Sequence, residues 1–176
     1  IYKMNYLRST KVVMAFLLLI ISIILVTLGE VEGSAYLFIA SLIVLMAHFF
    51  FGEVIAAYKN LGLRKFDKAE RLLDSTFSPG LLFKMHRSYY YLSRSILCSK
   101  NGDYILSEEY LKQSTEVGGL RDRDKVMAWI NLAYLFLSKG QVAKAKVFFK
   151  YTQSVVVRDL RVKSELEKLE KAIHSR

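Results

Sequence analysis

Residues 16–26 read FLLLIISIILV, and the longer run 12–28 around them contains no Asp, Glu, Lys or Arg. A second run of this kind covers residues 35–51. Each run has 17 residues, so as a helix it would be about 26 Å long, close to the ~30 Å hydrocarbon core of a bilayer. A helix that is apolar on every face is typical of a membrane span. We therefore predict two transmembrane helices, over about residues 10–29 and 34–58.

A cleaved signal peptide is the alternative interpretation of the first run. Basic residues precede the run, and residues 33–35 offer small side chains for cleavage. The run is longer than the usual apolar region of about 7–15 residues, however, and a second apolar run follows almost at once. We therefore expect a retained anchor.

The basic residues predict the orientation of the hairpin. The connector 29–34 has two Glu and no Lys or Arg, whereas the outer flanks of both runs are basic: Lys3, Arg8 and Lys11 before them, and Lys59, Arg64, Lys65 and Lys68 after them. The positive-inside rule then places both termini in the cytoplasm. We expect an inner (plasma) membrane protein with a transmembrane hairpin over residues 1–58 and a cytoplasmic domain over 59–176.

The net charge of +10 belongs to the second part of the chain. Residues 1–58 are neutral, with three basic and three acidic side chains, and the remaining 118 residues carry 23 basic and 13 acidic ones. Such a surface is compatible with anionic lipid, with RNA or a ribosome, with an acidic protein, or with plain solvation. The single cysteine, Cys98, excludes an internal disulfide and fits a reducing cytoplasm.

A repeat-like pattern occupies residues 125–151. Gly140 stands between two sets of regularly spaced small and apolar residues: Trp129, Leu132, Ala133 and Phe136 before it, and Ala145 and Phe149 after it. This spacing resembles the tetratricopeptide (TPR) repeat, W-x2-L-G-x2-Y followed by A-x3-F. The small residues would let two antiparallel helices approach closely, and Gly140 would permit the turn between them.

Weaker copies precede this segment. Gly102 lies 38 residues before Gly140, within a second copy, and Ala69 and Leu73 belong to a first copy whose opening helix would cover residues 54–63. Residues 159–174 carry one apolar stripe, as a capping helix would. Together with the two apolar runs, the resemblance predicts an all-α fold, in which two transmembrane helices lead into a short TPR-like α-solenoid with a C-terminal capping helix.

The resemblance to TPR proteins also implies a binding groove for a protein or peptide. The first helices of the repeats would line this groove. The residues expected there are Tyr89, Leu92, Ile96, Met127, Ile130, Tyr134 and Leu137.

The sequence contains no recognisable catalytic or cofactor motif. The three histidines lie outside any cluster with metal-ligand spacing, and no phosphate-binding glycine loop or nucleophile motif occurs. We expect no enzyme activity, no cofactor and no metal. His48 and Glu53, near the end of the second apolar run, are ionisable polar residues at membrane depth; they would be interfacial anchors or functional groups.

Three functions fit this sequence. We expect a non-catalytic adaptor or scaffold subunit that binds other subunits of an inner-membrane complex and a cytoplasmic protein or peptide. The alternatives are an accessory factor of protein export or membrane insertion that contacts a ribosome, RNA or nascent chain, and a transport or energy-coupling subunit that uses His48 and Glu53.

The first copy yields a prediction for proteolysis. If the anchor continues directly into the first helix pair, trypsin should cleave slowly at Lys59, Arg64 and Lys65. Limited digestion followed by mass spectrometry measures these rates against those of the denatured chain. Rapid cleavage there in the folded protein would indicate a mobile linker instead.

Overall fold

The computed structural model describes residues 10–51 and 53–175. That part of the chain is all-α, with nine helices and no strand. The helices are α1 (Thr10–Thr27), α2 (Val31–Phe51), α3 (Val54–Gly62), α4 (Phe66–Asp74), α5 (Lys84–Lys100), α6 (Tyr104–Val117), α7 (Asp122–Ser138), α8 (Val142–Gln153) and α9 (Leu160–His174). A short 3-10 turn covers Pro79–Leu81. Two compact units divide within α5, the first ending at His86 and the second beginning at Arg87.

Helices α1 and α2 form an antiparallel hairpin with small side chains at its contact. Ser22 Oγ donates a hydrogen bond of 2.8 Å to the Ser34 carbonyl, and Ser41 Oγ donates one of 2.9 Å to the Ala15 carbonyl. All four residues are buried. The helix backbones therefore approach closely enough for a serine side chain of one helix to reach the backbone of the other.

Large apolar side chains point away from this contact. Most of those on α1 and α2 are about half exposed, for instance Ile20, Ile24, Phe38 and Ile43. Polar groups inside and apolar groups outside are the reverse of a water-soluble core. Val31–His48 is long and apolar enough to cross a membrane by length and composition, whereas the apolar part of α1, Val13–Thr27, is shorter.

The second apolar helix differs from its predicted bounds. Helix α2 begins at Val31 and ends at Phe51, and α3 is a separate helix in which Glu53 occupies the N-cap position. The span predicted over about 34–58 therefore extends from α2 into α3, and His48 and Glu53 do not share one helix. The predicted boundary between residues 58 and 59 lies inside α3, while the compact units divide much later in the chain.

Three helix pairs share one turn geometry. The pairs are α3–α4, α5–α6 and α7–α8, and their turns contain Arg64, Gly102 and Gly140, all with positive φ and spaced 38 residues apart (64, 102, 140). In each turn the next N–H donates to a carbonyl five residues back, over 2.9 Å: Lys65 to Asn60, Asp103 to Cys98, and Gln141 to Phe136. This arrangement satisfies carbonyls at the end of the first helix and reverses the chain.

The same 38-residue spacing also relates the small residues at which the two helices of each pair meet. The facing positions are Ala57 with Ala69, Ser95 with Ser107, and Ala133 with Ala145, and all six side chains are buried. Ser107 Oγ donates a hydrogen bond of 3.0 Å to the Ser95 carbonyl, which shows how closely α5 and α6 approach. Each pair is therefore a helical hairpin held at a narrow contact.

Helix α9 packs against α7 and α8. Val162, Leu169 and Ile173 on one of its faces are buried. Asp159 caps its start, because the carboxylate accepts a hydrogen bond of 2.9 Å from the Arg161 N–H. The predicted amphipathic helix is therefore present and covers the last helix pair.

The turn geometry predicts the effect of replacing Gly140. A Cβ there would meet nothing within 4 Å, so only the positive φ opposes a side chain. Gly140→Ala should lower the free energy of unfolding by about 1–2 kcal/mol, and Gly140→Asn by less, since Asn tolerates this conformation. Urea titration followed by the fluorescence of the single tryptophan measures both. Equal losses for Ala and Asn would contradict the explanation.

Candidate functional site

A pocket of about 520 Å³ lies in the second unit between α5, α6 and α7. No charged side chain lines it, and seven of its ten residues are uncharged polar ones. The lining residues are Ser95, Ile96, Ser99, Tyr104, Ser107, Leu111, Asn131, Tyr134, Leu135 and Ser138.

The floor of the pocket is the narrow contact of the α5–α6 hairpin. Ser95 and Ser107 are buried, and both hydroxyls donate within the hairpin, Ser95 Oγ to the Leu92 carbonyl at 2.7 Å and Ser107 Oγ to the Ser95 carbonyl at 3.0 Å. Small side chains on both helices leave a depression where larger ones would fill the space. The pocket is therefore a direct result of the small residues that the helix pair requires.

The upper wall carries the polar groups that a ligand can reach. Ser99, Tyr104, Asn131 and Ser138 are exposed. Burial raises the pKa of Tyr134 above its ordinary value, and the nearby Glu165 carboxylate raises it further. The wall thus offers hydroxyl and amide groups and no net charge.

An ion-pair bridge lies beside the pocket. The Glu108 carboxylate accepts hydrogen bonds from Lys112 at 2.5 Å and from Lys139 at 2.6 Å. Partial burial alone would raise the pKa of Glu108, but the two lysines outweigh it and lower that pKa. Because Lys139 is the C-cap of α7, the bridge ties α6 to the C-terminal end of the neighbouring helix.

A buried hydrogen-bond network holds the other end of these helices. The Tyr89 phenol donates to the Asp124 carboxylate at 2.5 Å. Arg123 contacts Asp124 at 3.0 Å and Asp159 at 3.7 Å. The pKa of Tyr89 is raised to about 12. Burial contributes most to this rise, and the hydrogen bond to Asp124 and the negative charge of Asp124 add to it. The network joins the start of α5 to the start of α7 and to the cap of α9.

The seven residues expected in the groove lie in different surroundings in the structure. Ile96 and Tyr134 line the pocket, and Met127 is half-buried. The other four are buried in the interior: Tyr89, Leu92, Ile130 and Leu137. These four therefore do not lie on an open surface: Ile130 and Leu137 belong to α7, which packs against α6, α8 and α9, while Tyr89 and Leu92 belong to α5 and Tyr89 donates a hydrogen bond to Asp124 of α7.

Sequence reasoning missed the contribution of α6 to the pocket. It considered only the first helix of each pair, whereas Tyr104, Ser107 and Leu111 of the second helix α6 also line the pocket. A signal for Tyr104 was present, since Asp103 is an N-cap whose carboxylate accepts a hydrogen bond of 3.0 Å from the Leu106 N–H.

The residues expected in the repeat core are buried or half-buried. Ala69, Leu73, Leu132, Ala133, Phe136 and Ala145 are buried, and Trp129 and Phe149 are half-buried. The Phe136 ring stacks on Phe148 with centroids 5.4 Å apart, and the Trp129 ring lies 5.7 Å from that of Tyr151. The aromatic contacts thus involve Phe148 where the sequence pattern indicated Phe149.

The two polar residues expected at membrane depth lie in different settings. His48 is buried on α2, and Glu53 is half-buried at the start of α3. Within the described residues, no three His, Cys, Asp or Glu side chains are grouped so that they could hold a metal ion. A comparison of the chain with protein-family models, with curated proteins and with solved structures finds no match.

The Tyr89–Asp124 hydrogen bond predicts an alkaline loss of stability. The pKa of Tyr89 is higher in the folded chain than its usual 10, so folding favours the neutral phenol. This contribution is complete below pH 10 and is lost as the pH rises towards 12. Tyr89→Phe should cost about 1–3 kcal/mol at pH 7 because Oδ2 of buried Asp124 loses the Tyr89 donor while Arg123 still contacts Oδ1, and should abolish this alkaline component.

Urea titrations of the full chain between pH 7 and pH 12 measure both effects. Tyr104→Phe, at an exposed phenol of the pocket, is the matched control and should retain the alkaline component. A Tyr89→Phe chain as stable as the parent at pH 7 would refute the assigned role of the network.

Proposed function

We propose that this chain is a membrane-anchored, non-catalytic TPR-like adaptor, whose helical hairpins bind a segment of another protein. The pocket between α5, α6 and α7 is the observation that carries the proposal. The chain would hold this pocket at the cytoplasmic face of an inner membrane, where it would join a membrane complex to a cytoplasmic protein or peptide.

The lining of the pocket favours an uncharged, extended peptide segment as the ligand. Exposed hydroxyl and amide groups can exchange hydrogen bonds with the N–H and C=O groups of a peptide backbone. Ile96 and Leu135 offer apolar contact on either side. A charged segment would lose its hydration there without gaining an ionic partner among the lining residues.

The repeat geometry supports the TPR-like interpretation. Three hairpins have the same turn at a constant spacing, and the third matches the TPR pattern with Leu132, Ala133 and Ala145 at its buried contact. Repeat proteins of this kind use the surfaces between neighbouring helices for protein recognition.

The inverted polarity of the α1–α2 hairpin supports membrane anchoring. Apolar side chains cover its outer surface, and serine hydroxyls are satisfied by carbonyls at its inner contact. Lipid, unlike water, favours this distribution. In this proposal both helices span the bilayer, the acidic connector lies outside, and both termini lie in the cytoplasm.

Site-specific photo-crosslinking in intact membranes tests the binding function. A photoreactive amino acid replaces Ser99 in the pocket and, as a matched control, Lys146 on the exposed side of α8. We expect a discrete adduct from position 99 and none of the same mass from position 146. Ser138→Arg should reduce that adduct at least about tenfold, since a charge in this pocket opposes binding.

A peptide from the captured protein then has to bind the purified full chain in lipid nanodiscs. Isothermal titration should give saturable binding that Ser138→Arg weakens. Equal crosslinking from both positions, or binding indifferent to Ser138→Arg, would refute the pocket as the recognition site.

A further inference from the structure

The segment after α4 returns to the end of the candidate membrane span. The Phe83 N–H donates a hydrogen bond of 3.0 Å to the Phe50 carbonyl. The Phe83 ring stacks on Phe50 and lies against Phe51, with centroids 5.1 Å apart in both pairs. Phe51 in turn meets the His86 ring edge-on at 5.1 Å. These backbone and ring contacts thus hold Phe83 against the C-terminal end of α2.

Apolar side chains around this contact remain exposed at the protein surface. Phe83 is 50% exposed despite its two ring contacts, Leu81 is 48% exposed and Phe51 is 43% exposed. Lys84, the next residue along the chain, is exposed as well. We call Phe51, Leu81 and Phe83 the apolar collar.

The height of the collar along α2 indicates what covers it. The candidate span ends at His48, and Phe50 lies two residues beyond it, about 3 Å further along the helix axis. A hydrogen bond to Phe50 therefore places Phe83 at the level where the hydrocarbon core meets the headgroups. Aromatic side chains are enriched at that level, with their rings in the apolar region, and basic residues reach the phosphates.

We propose that the apolar collar inserts into the cytoplasmic interface of the bilayer as a second membrane attachment, separate from the spanning helices. Its occupant is lipid, because the collar is continuous with the end of the candidate span. The inference rests on the membrane anchoring proposed above. Residues 53–82, including the α3–α4 hairpin, then form a loop held at the membrane at both ends.

Depth-dependent fluorescence quenching tests this proposal in the full chain reconstituted into vesicles. Trp129→Phe removes the only native tryptophan, and single tryptophans are introduced by Phe83→Trp, Phe38→Trp or Val156→Trp. Phe38 is an exposed residue within the candidate span, and Val156 is 90% exposed in the second unit. Lipids brominated near the headgroup or deep in the acyl chain act as the quenchers.

We expect shallow bromines to quench Phe83→Trp most, deep bromines to quench Phe38→Trp most, and neither to quench Val156→Trp. Quenching of Phe38→Trp without any at Phe83→Trp would overturn the collar and leave the anchoring intact. Absence of quenching at Phe38→Trp would overturn both.

A second measurement uses a spin label and does not require the Trp129→Phe substitution. Leu81→Cys in a Cys98→Ser chain carries a nitroxide label, whose relaxation should respond to dissolved oxygen more than to a water-soluble nickel complex. The reverse preference, as expected for a label in water, would overturn the collar.

Discussion

The packing of α1 against α2 through small polar residues is the constraint on which the first unit depends. Ser22 and Ser41 reach carbonyls of the opposite helix, and the bulky apolar side chains are left on the outside. In water this packing would expose a large apolar surface. In lipid the apolar surface is favourable, and the hydrogen bonds of the helix backbones and of the two serines are made within the hairpin. The proposed anchoring follows from this distribution of side chains, and the proposed orientation and collar rest on that anchoring.

A related constraint shapes the helix pairs that follow. A small residue on each helix brings the two backbones together, and a left-handed residue at the turn reverses the chain. The first hairpin uses Arg64 where the others use glycine, so only there does a bulky side chain adopt this conformation. In α5–α6 both small residues are serines, and the pocket forms above them.

Much of this architecture was predictable, because periodicity and turn residues act locally. The Trp129–Phe149 pattern identified the third hairpin, and the 38-residue spacing of Gly102 and Gly140 located the second. The second apolar run ended at residue 51 and the first repeat copy predicted a helix over 54–63, so the bounds of α2 and α3 match these two patterns better than the single span over about 34–58. The burial of Leu92 on α5 and of Ile130 on α7 was missed for another reason: it depends on which other helices pack against these two, and this information is not local.

The return of Phe83 to Phe50 was also beyond the sequence, because it joins residues more than 30 positions apart through a backbone hydrogen bond. Exposed Phe and Leu near Pro79 would suit a surface loop equally well. Only the contact with the end of α2 gives them a defined position along the candidate span.

Thiol labelling in intact cells tests most directly whether the apolar hairpin crosses the membrane and leaves the helical repeats in the cytoplasm. In a Cys98→Ser chain, Glu32→Cys reports on the connector region and Ser164→Cys on exposed α9. A membrane-impermeant maleimide should label position 32 in intact cells and position 164 only after the membrane is opened. Labelling of position 164 in intact cells, or labelling of position 32 only after the membrane is opened, would contradict the proposed topology.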